Sequence, residues 1–290
     1  MTSRQLSNAT RNAARALLTD FLKKRRAALK PADVGLPAGS SRRRTPGLRR
    51  SEVAQLAGVS TEWYTLFEMG RERAMTARAV ESVAHALRLT KTEHHYLSDL
   101  VRPRPPPKPL LDLPPALDVA LRTDREKLLI VYDRWQNEVR WNVVAEAVLG
   151  IRAYDPSKRN ALWRFFCAPE TREIYVDWDH FSALTLGLFR RSLGRDPANA
   201  EARRLIHAVS DSADFREMWK KHEVWSLADE ARSSMNNLYC LRHPRFGEVC
   251  GYTIGLEIPG SMGGHVRVCV PGDAAGRRTL EDMAASLGFV

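Results

Sequence analysis

Residues 48–70, LRRSEVAQLAGVSTEWYTLFEMG, constrain the fold more than any other stretch, because they read as two short helices joined by a tight turn. Val53, Leu56 and Ala57 fall on one helical face, and Gly58 stands where a helix can end in a left-handed residue. Val59 fills the corner and Ser60 is a favourable N-cap. Tyr64 and Phe67 then recur at helical spacing toward the first helix until Gly70 stops the second. The pattern is that of a helix-turn-helix.

A unit of this kind needs further helices to bury its apolar faces, and the neighbouring sequence supplies them. Residues 1–10 are polar and are expected to fray. From Ala13, the positions Leu17, Leu18, Phe21, Leu22 and Leu29 give a first helix that Pro31 ends, with Lys23, Lys24, Arg25 and Arg26 along its later turns. Thr76 is placed to cap a fourth helix with an apolar face of Val80, Val83, Ala84 and Leu87, and residues 92–100 predict a fifth.

Charge separates this part from the rest. Of 45 Lys+Arg and 34 Asp+Glu, residues 1–110 hold 21 and 9, leaving 24 and 25 for residues 111–290. A basic first part joined to a near-neutral second part points to a polyanion as partner of the first alone. No apolar run approaches the ~20 residues of a membrane span. The Arg-rich opening helix has the look of an organelle transit peptide, but it runs into the helical unit as its first helix. The four cysteines, Cys167, Cys240, Cys250 and Cys269, form no CxxC pair, so reduced thiols in a cytoplasm are expected rather than a disulfide framework. A zinc site can be assembled from Cys240, His243, Cys250, His265 and Cys269, but the spacing fits no known module and scattered structural residues are the simpler reading. No metal and no cofactor are expected, and no GxSxG, HExxH, P-loop or GxGxxG word is present.

The pattern Ala54, Gly58, Val59, Ser60, Glu68 and Gly70 resembles the Xre or lambda-repressor-like class of DNA-binding domains. PADVGLP at 31–37, RRRTPGLRR at 42–50 and WYT at 63–65 resemble the MmyB-like transcription regulators in particular. The resemblance implies an all-α helix-turn-helix domain followed by an α+β, PAS-like ligand-binding domain. Thr61, Glu62 and Trp63, with Leu66 one turn on, then stand where a recognition helix meets base edges, and Ser60 caps that helix. Glu62 can accept from cytosine N4, and Trp63 and Leu66 offer apolar surface to thymine methyls. Leu66 departs from the arginine usual at this place in the family, so the operator is expected to differ there. Arg42, Arg43 and Arg44 in the loop, Arg49 and Arg50 at the next helix, and Arg71 and Arg73 after the recognition helix are candidate phosphate contacts.

RPRPPPKPLLDLPP at 102–115 carries seven prolines and predicts a stiff spacer between a DNA-binding domain at 11–101 and a second domain at 116–290. Beyond it the hydrophobic period changes. Residues 127–133 and 139–142 predict a β-hairpin and 143–149 a short helix. Mostly helical sequence follows at 162–193 and 198–219; strand patterns return at 238–242, 248–258 and 265–270, and a closing helix is expected at 279–287. The layout is α+β, with helices on one face of a sheet.

Trp141-Asn142, Trp178, the run WKKHEV at 219–224 and LRHP at 241–244 stand where the family has similar words, whereas EVWSLADE at 223–230 and the glycines at 260–264 depart from it. The resemblance implies a pocket between sheet and helices for an apolar or lipid-like small molecule, with Trp141, Trp178, His222 and His243 as candidate ligand contacts. Asn142 reads as an N-cap. The reading is a cytoplasmic, non-enzymatic regulator, dimeric on an inverted repeat of double-stranded DNA. Two rivals stand beside it: a second domain that acts as a small-molecule enzyme, and one that serves only for dimerisation.

Overall fold

The computed structural model describes residues 8–37, 47–71, 75–102, 113–233, 238–261 and 263–287. Arg42, Arg43, Arg44 and Arg73 lie outside the described residues, as does most of the proline-rich stretch. The described residues divide into two compact units, one of residues up to 102 together with 193–199, the other of residues 113–192 and those from 200 onward.

In the first unit α1 (Asn8–Ala28) starts earlier than its apolar period predicts and buries Ala14, Leu18, Phe21 and Leu22. Next come α2 (Arg50–Ala57) and α3 (Thr61–Glu68), which Gly58 separates at φ 66°. That left-handed backbone is strained for any residue with a Cβ. The Ser60 hydroxyl accepts the Trp63 amide at 3.0 Å and starts α3. Thr76 caps α4 (Ala77–Ala86) in the same way. A Thr90–Glu93 capping box opens α5 (Lys91–Val101). Val53, Tyr64, Phe67, Val83 and Leu97 are fully buried where these helices meet.

The second unit opens with α6 (Pro115–Thr123), which the periodicity did not single out. β1 (Leu128–Tyr132), β2 (Glu138–Trp141) and α7 (Val143–Leu149) follow, as the hairpin-then-helix reading predicts. Asn142 caps α7 by accepting the Ala145 amide, and the same oxygen accepts from Leu129. The long helical region is broken into α8 (Ala161–Cys167), α9 (Pro169–Ile174), α10 (Trp178–Arg195), α11 (Ala200–Val209) and α12 (Ala213–Lys221). A proline at 169 ends one helix and opens the next. The unit closes with α13 (Leu227–Ser233), β3 (Leu238–His243), β4 (Gly247–Glu257), β5 (His265–Pro271) and α14 (Ala274–Ala285).

The five strands form one antiparallel sheet in the order β2-β1-β5-β4-β3. Strand alternation gives the sheet two different faces. Leu128, Ile130, Tyr132, His265, Arg267 and Cys269 point toward helices α8 and α10, and α13 packs so close on this side that a Cβ at Gly255 would lie 2.5 Å from Leu227. Leu129, Val131 and Val266 point the other way, where Leu121 of α6 closes a small core over them. The expectation of helices on one face is thus corrected, because α6 covers part of the opposite face.

The expectation of reduced thiols is also corrected for two of the four cysteines, while Cys167 and Cys269 are free. The β3–β4 register sets Cys240 opposite Cys250, and the two sulfurs are joined in a disulfide with Cα atoms 4.1 Å apart. A cross-strand pair ten residues apart depends on hairpin register, which a search for CxxC words does not see. The zinc set assembled on paper is divided by the sheet, since strand alternation sends the disulfide to one face and His243, His265 and Cys269 to the other. Among the described residues the three-ligand group within reach of one ion is Cys240, Glu248 and Cys250, and its two sulfurs are bonded to each other.

Candidate functional site

In the first unit the outward side of α3 presents Thr61, Glu62 and Leu66 to solvent, with Trp63 half-buried and stacked on Phe67 at 5.0 Å. Ser60 and Arg71 are exposed at the two ends of this helix. The inward side carries Tyr64, Phe67 and Glu68. Glu68 is fully buried, and its carboxylate accepts from Arg26 at 2.7 Å and from Arg50 at 2.8 Å. Burial pushes this carboxyl up, but hydrogen bonds and charge from the two arginines outweigh it and hold it below the usual carboxylate range. Burial, and then the negative Glu68, push the Tyr64 phenol far up.

This node ties three helices together, and it divides the basic residues of the first helix. Arg26 also donates to the Leu48 carbonyl at 2.7 Å, and Arg25 pairs with Glu93 at 2.8 Å, so half of the basic run at 23–26 is held inside the unit while Lys23 and Lys24 stay exposed. Arg50 keeps part of its side chain exposed beside Glu68, and Arg49 precedes α2, where its amide donates to Glu52. The sequence signal for the node was Glu68 itself, but its partner Arg26 lies 42 residues away and no local pattern joins them.

The second unit holds two concave features. One is an enclosed cavity between the sheet and α8 and α10, lined by Tyr132, Phe165, Tyr175, Tyr239, His265 and Arg267 among others, with a volume of about 20 Å³. That is room for about one water. Arg267 pairs with Glu230 and donates to the Thr253 hydroxyl at 3.2 Å, so its charge is neutralised on the spot. Burial, with Arg267 nearby, drives the His265 imidazole down to about 3, and its ring stacks on Tyr132 at 5.1 Å. Burial pushes the Cys269 thiol up to about 11. The Tyr239 hydroxyl is buried here with no hydrogen-bond partner among the described residues.

The other feature is an open groove of about 660 Å³ between α7, α9 and the end of β3. Val148, Leu149, Ile174 and Pro244 give it an apolar floor, Glu170, Glu173 and His243 supply polar groups, and Arg242 borders it. Its size falls in the range of small-molecule sites. Burial and the neighbouring Arg245 lower the His243 imidazole below its ordinary value, and its Nδ1 accepts the Arg245 amide at 3.2 Å. A neutral ring of this kind can accept as well as donate.

The four candidate ligand contacts therefore lie apart. His243 lines the groove. Trp141 donates its indole N–H to Glu146 at 2.7 Å, and Trp178 is buried against Phe166 with Arg172 over its ring at 4.2 Å. His222 ends α12 at φ 54°, in neither lining. Groove residues such as Glu170 and Glu173 of α9 and Arg242 of β3 were missed, since charged residues on two distant elements carry no shared sequence signal.

Among the described residues no helix is long and apolar enough to cross a membrane. A comparison with curated proteins finds no match. Residues 113–283 match the model of the MmyB-like transcription regulator ligand binding domain, which spans the sheet, the cavity and the groove. The chain belongs, by this domain, to the MmyB-like transcription regulators.

Proposed function

We propose that the chain is a cytoplasmic, sequence-specific DNA-binding regulator that acts as a dimer on an inverted repeat and senses an apolar or lipid-like small molecule through its second unit. The observation that carries the reading is the outward face of α3, with Thr61 and Glu62 at its N-terminal end and Arg71 beyond it, in a part of the chain with 21 Lys+Arg against 9 Asp+Glu. A helix presenting its first residues outward from a basic unit is the arrangement by which major-groove readers work. Thr61, Glu62, Trp63 and Leu66 take the role of base contacts, Ser60 caps the reading helix, and Arg49, Arg50 and Arg71 hold phosphates, with Arg42, Arg43, Arg44 and Arg73 assigned to the same task from the sequence.

The groove beside His243 is the better fit for an apolar ligand, because the enclosed cavity takes no more than a water unless the sheet and helices part. An apolar body would lie on Val148, Leu149 and Ile174 while His243 meets a polar end. Ligand binding would then favour one dimer arrangement over another, and the proline-rich spacer would pass the difference to the recognition helices.

Binding to a duplex panel tests the first half. Glu62→Ala should relax preference at one base pair per half-site by about 1–3 kcal/mol, and Arg71→Ala should weaken all duplexes and reduce the salt slope by about one. Uniform loss from Glu62→Ala would refute the assignment. Native mass spectrometry of the purified full-length protein tests the second half: a defined compound released on denaturation, and able to change DNA affinity, supports the sensor. The small enclosed cavity favours one alternative, a second unit that only dimerises, and in that case no compound alters DNA affinity.

A further inference from the structure

The face of the sheet turned away from the cavity is apolar and half uncovered. Cross-strand register sets Leu238, Tyr252 and Val270 in one row, Ile254 beside Val268 in the next, and Leu256 beside Val266 in the third. α6 closes the core over Val266 and the β1 residues, yet Leu238, Tyr252, Ile254, Leu256 and Val270 are left 47, 58, 42, 47 and 37% exposed. Five large apolar side chains at these exposures make a contiguous patch of roughly 400 Å², the size at which a surface patch is commonly functional. The Cys240–Cys250 disulfide forms the next row, and the Arg242–Glu248 ion pair the one after, so the patch ends in a polar rim on one side.

We propose that two copies of the chain pair through this sheet face. Face-to-face packing removes the patch from water twice, roughly 800 Å² from these five side chains alone, which is about two-thirds of the ~1,200 Å² where stable interfaces begin before any of the surrounding rim is counted. A single patch that pairs with itself meets the condition for a two-fold, isologous dimer. Charge permits it as well: residues 111–290 hold 24 Lys+Arg against 25 Asp+Glu, so two second units do not repel one another as two copies of the basic part do. The inference rests on the proposed regulator only for the use of the pair on an inverted repeat.

Sedimentation equilibrium of the full-length protein, wild type against Tyr252→Lys/Ile254→Glu, tests it. The wild type should sediment as a dimer, and the double variant should raise the dissociation constant by at least about a hundredfold while its circular dichroism stays that of a folded protein. Tyr252→Ala alone should move the constant in the same direction by less, which covers the case in which the double variant fails to fold. A dimer insensitive to both substitutions, or a wild type monomeric at every concentration, overturns the proposal. Duplex binding measured on the same samples keeps the two readings apart. A wild-type dimer that dissociates on substitution but binds no duplex sinks the regulator and spares the pairing face, and the opposite result does the reverse.

Discussion

Each unit buries charge, but the surroundings differ. In the first unit Glu68 is enclosed by Arg26, Arg50 and Tyr64, and its carboxylate oxygens are occupied by these partners. In the second, Arg267 is neutralised by Glu230 and hydrogen-bonded to Thr253, but next to it stand a neutral His265, a Tyr239 hydroxyl without a partner among the described residues and a small void. A satisfied network fixes one arrangement of helices, whereas polar groups beside a void can be rearranged. The contrast is between a rigid first unit and a second, ligand-binding unit with room to adapt.

The largest expected effect is in the first unit. Glu68→Ala leaves two arginines without their buried carboxylate and should destabilise that unit by about 3–5 kcal/mol. Chemical denaturation followed by the fluorescence of Trp63, in a background where the other tryptophans are replaced, reads this directly. A loss under ~1 kcal/mol, as for an exposed ion pair, would mean that the node is no more than a surface contact and would erase the contrast.

What the sequence made legible follows the range of the interactions. Gly58, Ser60 and Asn142 act on backbone within a few residues, and each was readable as a helix end or cap. The hairpin and α7 were legible for the same reason. The pairing of Arg26 was not legible because its carboxylate partner is far along the chain, and periodicity gives a face but not the neighbour on it. Cys240 and Cys250 meet because β3 and β4 pair in one register, and α6 lies on the second face of the sheet because of contacts with β1 and β5. Those choices are made by packing between distant segments. The groove is a consequence of the same packing, which is why it gathers His243 but leaves Trp141, Trp178 and His222 elsewhere.

The second effect is a dependence on pH that the first unit should not share. His265 is held neutral, with its folded value at about 3 against 6.5. Between these limits the unfolded chain binds the proton and the folded chain does not, so stability falls as pH drops, by about 1.4 kcal/mol per unit. Above 6.5 the histidine contributes no slope. His265→Phe keeps an aromatic ring on Tyr132 and should remove this slope, measured as the difference between the two proteins from pH 6 to pH 4. Glu68 acts later in the titration. Its folded value is depressed, so its contribution is complete above the ordinary carboxylate range and is lost only as pH falls below it. Equal slopes in wild type and His265→Phe would mean that the imidazole is protonated in place, and the cavity would be more polar than its lining implies.

The smallest effect has the opposite sign to the first. Removing the buried Tyr239 hydroxyl takes away a group that folding desolvates without giving it a partner, so Tyr239→Phe should raise stability by about 1 kcal/mol. Loss of Glu68 and loss of the Tyr239 hydroxyl are both deletions of buried polar groups, and only the presence or absence of partners makes one costly and the other favourable. Thermal denaturation of the ligand-free protein decides the matter. A lower midpoint for Tyr239→Phe would mean that a water fills the 20 Å³ cavity and bonds to the hydroxyl, since a void of that size can hold one. The second unit would then be as fully satisfied as the first, and its adaptability would have to come from the open groove alone.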